Sequence, residues 1–193
     1  MIKKSTLALA AAVAFHSAPG FAAGTSGSGT ITFSATVIEG PCSISAADSN
    51  MTIDLGQVSQ RMLNGPGKFS DSVPVVIHLT GCSFDEDTGT TPNPNGKLSK
   101  VAVQFLGTFT NTQLGKISST GTATAVAVQL LESDGTTPVN LAATPSAANA
   151  KQLINGSNEL RYWARMSVVG GPGAVTSGTG SVQANATYAL AYF

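Results

Sequence analysis

The chain has 193 residues, 10 basic and 10 acidic side chains, and only 10% of its residues are charged. That balance argues against nucleic-acid binding and against adhesion to anionic lipid through charge. The abundance of Gly, Ala, Ser, Thr and Val suits short strands and polar turns better than exposed amphipathic helices.

The first residues decide the compartment. Lys3 and Lys4 precede an uncharged apolar run, Leu7 to Phe15, and then Pro19, Gly20, Phe21 and Ala22. A basic start, a short apolar stretch and small residues at a cut site describe a secretory signal peptide. Gly20 and Ala22 give the small-x-small pattern, which places the cut after Ala22 rather than Ala23. The run is too short to span a bilayer as a permanent helix. Residues 1–22 are therefore read as a signal peptide. The mature chain, about 170 residues, suffices for one domain with a core. Without Lys3 and Lys4, 8 basic residues face 10 acidic ones. Cys42 and Cys82 are the only cysteines, and two cysteines in an exported protein predict a disulfide. A redox pair would need closer spacing, and a metal site would need further ligands.

After the cut, residues 23–29 read AGTSGSG, a small, polar and flexible leader. In TITFSATV, residues 30–37, Ile31, Phe33, Ala35 and Val37 point one way while Thr30, Thr32, Ser34 and Thr36 point the other. The same period-two alternation recurs at Met51, Ile53 and Leu55, and at Val73, Val75, Ile77 and Leu79. It returns at Val101, Val103 and Phe105, at Val126, Val128 and Leu130, and at Leu160, Tyr162, Ala164, Met166 and Val168. Turn residues bound each run, among them Gly56, Gly107, Ser133-Asp134-Gly135 and Gly170-Gly171-Pro172-Gly173. These are half-buried strands of an all-β sandwich, and no segment reads as a long helix. The stretch from Phe84 to Lys97, with Asp85-Glu86-Asp87 and two prolines, is a surface excursion without the alternating oxygen ligands of a calcium loop. Val182, Ala184, Ala186, Tyr188, Leu190 and Tyr192 alternate up to Phe193. Alternation alone allows the segments 30–37 and 182–192 to be ordinary first and last strands.

Further features give the chain a family resemblance: Cys82 forty positions after Cys42, Phe-Leu-Gly at 105–107, VAVQLLESDG at 126–135 and the segment Tyr162 to Arg165. With Gly180 and the penultimate Tyr192, the chain resembles subunits of chaperone–usher fimbriae, closest to the major pilins of type 1 fimbriae. The resemblance implies an incomplete immunoglobulin-like β-sandwich that lacks its last strand and is completed by a strand from another subunit. It implies a donor extension at residues 23–38, with Ile31, Phe33, Ala35 and Val37 as the donor side chains, and a pilin domain at 39–193. It implies that Gly180, Val182, Ala184, Ala186, Tyr188, Leu190, Tyr192 and Phe193 form the edge offered first to a periplasmic chaperone. An outer-membrane usher would then exchange the chaperone's strand for that of another pilin copy, an instance of β-strand addition. The product is a cell-surface fimbrium, reached by export through the periplasm, with any host receptor met only by a separate tip adhesin. Many family members carry glycine where this chain has Ala35, and Glu39 marks the end of the donor segment.

Two other functions compete with this reading. An exported hydrolase would need a base against a nucleophile, but the chain has no G-x-S-x-G run and a single histidine beyond the signal peptide. That residue, His78, lies on the opposite face to Val75, Ile77 and Leu79 and reads as a strand-surface side chain. Trp163 and Tyr162 read as packing rather than sugar stacking. No catalytic residue, metal ligand or cofactor is therefore expected. A minor or adaptor subunit near the fibre tip is the alternative within the same family.

Overall fold

The computed structural model describes residues 30–37, 39–169 and 176–193. The predicted signal peptide, the leader at 23–29, Ile38 and the predicted stop at Gly170–Gly173 lie outside the described residues. The chain divides into two units, residues 1–37 and 38–193. In the first, residues 30–37 carry no assigned strand and every one of them is exposed.

The second unit is built from antiparallel strands whose side chains alternate between core and surface. Strand β1 (Ser43–Ile44) pairs with β2 (Val73–Cys82), which buries Val75, Ile77 and Leu79 and exposes Pro74, His78 and Thr80. Gly81 sits at φ +63° where the β2 register shifts between Leu79 and Cys82. This bulge turns Cys82 back into the core, a conformation that glycine adopts without penalty. Next come β3 (Lys100–Gly107), β4 (Phe109–Asn111), β5 (Lys116–Ser118), β6 (Val126–Leu131) and the two-residue β7 (Lys151–Gln152). The long β8 (Gly156–Val168) buries Leu160, Tyr162, Ala164 and Met166, and β9 (Ala186–Tyr192) is the last strand. One sheet has the order β1-β2-β8-β6-β5-β4, and the other β7-β3-β9. Their inner faces share one apolar cluster, in which Phe105 of β3 meets Tyr162 of β8 edge-on with ring centroids 5.2 Å apart. Such a T-shaped pair aligns the positive edge of one ring with the negative face of the other.

The predicted strands near 73–79, 101–105, 126–130 and 160–168 are present, and residues 84–97 contain none. Two predictions need correction. Residues 51–55 form no strand: Met51 and Leu55 are partly buried as expected, but Ile53 is exposed, and the short 3-10 turn Gln60–Leu63 follows. The last strand begins at Ala186 rather than Val182. Alternation records which side chains face the core, whereas a strand also needs a hydrogen-bonded neighbour, and these segments have none on their inner side.

Cys42 and Cys82 form a disulfide between two buried sulfurs, 2% and 4% exposed. It joins the chain ahead of β1 to the end of β2 and closes a loop of 40 residues, worth about 4 kcal/mol on the chain-entropy account. Replacing both cysteines with serine is expected to lower the free energy of unfolding by about that amount, measured by denaturant titration.

Candidate strand-acceptor groove

β9 has one strand neighbour. It pairs with β3 from Val101↔Tyr192 to Gly107↔Ala186, and among the described residues its other edge is open. Beside that edge runs a groove of about 1510 Å³. One rim is the segment 50–58, which has no assigned strand and turns locally at Gly56 (φ +70°), and the other runs from Ser177 through Tyr188. The floor comes from both sheets and includes Val75, Phe105, Ile117, Val128, Leu130 and Met166. These side chains belong to the apolar clusters of the domain, so the groove opens directly into its core. Asp54 is the only charged residue among those that line it.

The rims are held differently. On the side away from the groove, the β9 rim is tied to the β5–β6 connection: Thr120 N donates to Gln183 O at 2.7 Å, Ala123 N to Ser181 O at 3.0 Å and Gly178 N to Thr124 O at 3.0 Å. This backing demands glycines. A Cβ on Gly180, at φ +148°, would lie 2.4 Å from Thr122 Oγ1 and 2.6 Å from Ala123 N. The 51–58 rim has no backbone-to-backbone hydrogen bond among the described residues. It is fixed through Met51, Leu55 and Val58, whose side chains pack on the core clusters. Within the span 51–58 and 178–187 the rims exchange no hydrogen bond, so each presents a free backbone edge to the other.

Among the described residues, hydrogen bonds across the groove lie at its two ends, made by Asp48 and Gln60 on either side of the 50–58 rim. At one end Tyr188 Oη donates to Asp48 O at 2.8 Å. Asp48 is buried and its Oδ2 accepts from His78 N at 2.7 Å and faces His78 Nδ1 at 2.9 Å. At the other end Gln60 Nε2 donates to Ser177 O, and just beyond it Asn64 forms a β-bridge with Thr176. Burial, and then the Asp48 charge, push the Tyr188 phenol above its ordinary pKa, and burial does the same for Tyr192. Both therefore remain neutral at physiological pH, Tyr188 bonded to Asp48 and Tyr192 Oη without a partner among the described residues.

Of the residues expected at the acceptor edge, Gly180, Val182, Ala184, Ala186 and Tyr188 line the groove. Leu190 and Tyr192 pack against the main core instead, and Phe193 is tied to Lys100 by two backbone hydrogen bonds of 2.9 and 3.1 Å. The residues expected to act as donors, Ile31, Phe33, Ala35 and Val37, lie in the separate N-terminal unit. His78 is on the outer face as expected, but both ring nitrogens face carboxylates, Asp48 and, at 3.8 Å, Glu159. That arrangement holds no hydroxyl or thiol for nucleophilic chemistry. The roles of Asp48 and Gln60 are invisible in the sequence, since isolated polar residues near turns carry no pattern of their own. Gly180→Ala is expected to cost about 1–3 kcal/mol through overpacking against Thr122 and Ala123, read as a lowered melting temperature.

Known proteins share this architecture. The family model for fimbrial proteins matches residues 31–192. An uncharacterized fimbrial-like protein of Escherichia coli, YbgD, is 36% identical over 196 aligned residues, covering 98% of this chain and 97% of its own. The A chain of the Escherichia coli type-1 fimbrial protein is 32% identical, covering 99% and 98%. Among solved structures, one from a chaperone–usher pilus described for rod uncoiling superimposes with a TM-score of 0.67 at 28% identity, covering 87% of this chain and 97% of that one. The P pilus rod subunit PapA gives a TM-score of 0.61 at 26% identity, covering 79% and 99%. The match across nearly the whole described chain, together with a sandwich open along one edge of β9, shows that this protein belongs to the fimbrial protein family, a family of structural subunits rather than enzymes.

Proposed function

We propose that this chain is the shaft subunit of a chaperone–usher fimbria and that it polymerises when residues 30–37 of one copy fill the groove of another. The observation that carries this reading is the pair of facing rims with free backbone edges over an apolar floor. A backbone edge beside exposed apolar surface is an aggregation hazard unless something fills it. An extended segment inserted between the rims would satisfy both edges and cover the floor with alternate side chains.

The segment 30–37 has the chemistry the groove requires. It contains no proline and no charge. Ile31 is 78% exposed, Phe33 88% and Val37 99%, so these large apolar side chains have surface left to bury. Burying all three would contribute about 5–10 kcal/mol, an upper value before the cost of ordering the segment. Eight extended residues span about 27 Å, and the ten residues 178–187 about 34 Å, so the segment fits within one rim. Ala35 supplies the small side chain of the set.

Before assembly the groove would be filled by a strand from a periplasmic chaperone, docked along Val182 to Phe193, and an outer-membrane usher would exchange it for the pilin segment. The disulfide between buried sulfurs fits export through an oxidising compartment. A shaft role is favoured over an adaptor one because the matching structures include a subunit described as belonging to a pilus rod, and a relative 33% identical over 163 residues is a major pilin.

Ala35→Trp separates donation from acceptance. A ring forced into a space that takes a methyl group costs about 1–3 kcal/mol or more in the neighbouring copy, while the variant's own groove is untouched. In the periplasm the expected outcome is normal yield of folded, oxidised subunit, with polymer lost. Equal loss of folded subunit and polymer would show instead that residues 30–37 are an internal strand of their own domain.

A further inference from the structure

Two rims with free backbone edges have an alternative to waiting for a third strand: they can pair with each other. Paired strands lie about 4.8 Å apart, and a groove collapsed to that distance accepts nothing. The 51–58 rim is the less tightly tied, held by the packing of Met51, Leu55 and Val58 and by no backbone hydrogen bond among the described residues. Just past Gln60 the rims do converge, at the Asn64↔Thr176 bridge. Over the groove itself they stay apart.

We infer that the Tyr188–Asp48 and Gln60–Ser177 hydrogen bonds are spacers that hold the empty groove one strand wide, making Tyr188 and Gln60 positioning residues for strand entry. Each joins the rims through a long side chain on one rim and a backbone carbonyl on the other. A phenol or a glutamine amide bonded in this way sets the backbones further apart than a direct bridge does. Asp48 is itself braced. It is 7% exposed, and its carboxylate accepts from the His78 backbone in the middle of β2. The spacer at that end is thus anchored to the interior of the larger sheet. The two spacers also mark the ends of the slot, so the fitting ligand is one uncharged extended segment of about eight to ten residues.

This inference rests on the strand-acceptor reading and makes a kinetic claim of its own. Once a strand is in place its two hydrogen-bonded ladders hold the rims apart, so the spacers matter before entry and little afterwards. The test uses the full chain and a fluorescent synthetic peptide of residues 30–37 in excess, with association and release measured separately. Tyr188→Phe and Gln60→Leu each remove the hydrogen bond while keeping most of the side-chain volume. Each is expected to slow association by about tenfold or more and to change release by less than about threefold. A residue that merely stabilised the domain would lower its melting temperature and speed release instead. Unchanged association in both variants, or release accelerated as much as association is slowed, overturns the spacer role while leaving the acceptor groove intact. Failure of the wild-type chain to bind the peptide at all removes the acceptor reading, and the spacers with it. Should one variant fail to fold, the other decides.

Discussion

Backbone amide and carbonyl groups demand partners, and this domain leaves two facing rows of them without any. Residues 51–58 and 178–187 lie on either side of a gap that opens into the core. The other main strands of the sandwich are paired among the described residues. Stability and assembly therefore meet at one place. The same missing strand leaves β9 half-buried along its inner face and leaves the 51–58 rim without regular secondary structure.

The proposed function would also account for a fibre rather than a closed ring. On that reading, a donor segment at residues 30–37 and an acceptor groove along β9 are different surfaces of one chain. Such a heterologous contact propagates head to tail, and it generates an open filament unless the rotation between copies happens to close. The absence of charge in both the segment and most of the groove lining leaves apolar burial and backbone hydrogen bonding to supply the affinity. Contacts of this kind persist at high salt, in contrast to surface ion pairs, which are screened.

Much of the fold was legible because side-chain alternation survives wherever a strand covers the core. Val75, Ile77 and Leu79 in β2 and Leu160 to Met166 in β8 read correctly for that reason. At Val182–Asn185 the same pattern overstates the structure, because alternation is fixed by the floor beneath while strand pairing needs a neighbour beside; at Met51–Leu55 the sequence alternates but Ile53 is exposed. The short strands β4, β5 and β7 hold two or three residues each, too few to show a period. For the groove, Gly180 drew notice only through family resemblance, and the structure supplies the reason in its close approach to Thr122 and Ala123. Lys116, almost fully buried with its ammonium donating to Val168 O at 2.6 Å, escaped notice because it interrupts no pattern. Burial, and then the nearby Arg165, lower its pKa. The end contacts of the groove were illegible for a related reason, since they join residues more than a hundred positions apart through a phenol and an amide.

The most direct test of the central claim is an experimental structure of the assembled fibre at a resolution that traces the backbone between the two rims. The account predicts continuous density for residues 30–37 of a second copy running between 51–58 and 178–187, with Ile31, Phe33, Ala35 and Val37 directed at the floor. A fibre in which that gap is empty, or in which each groove holds its own chain's residues 30–37, would contradict it.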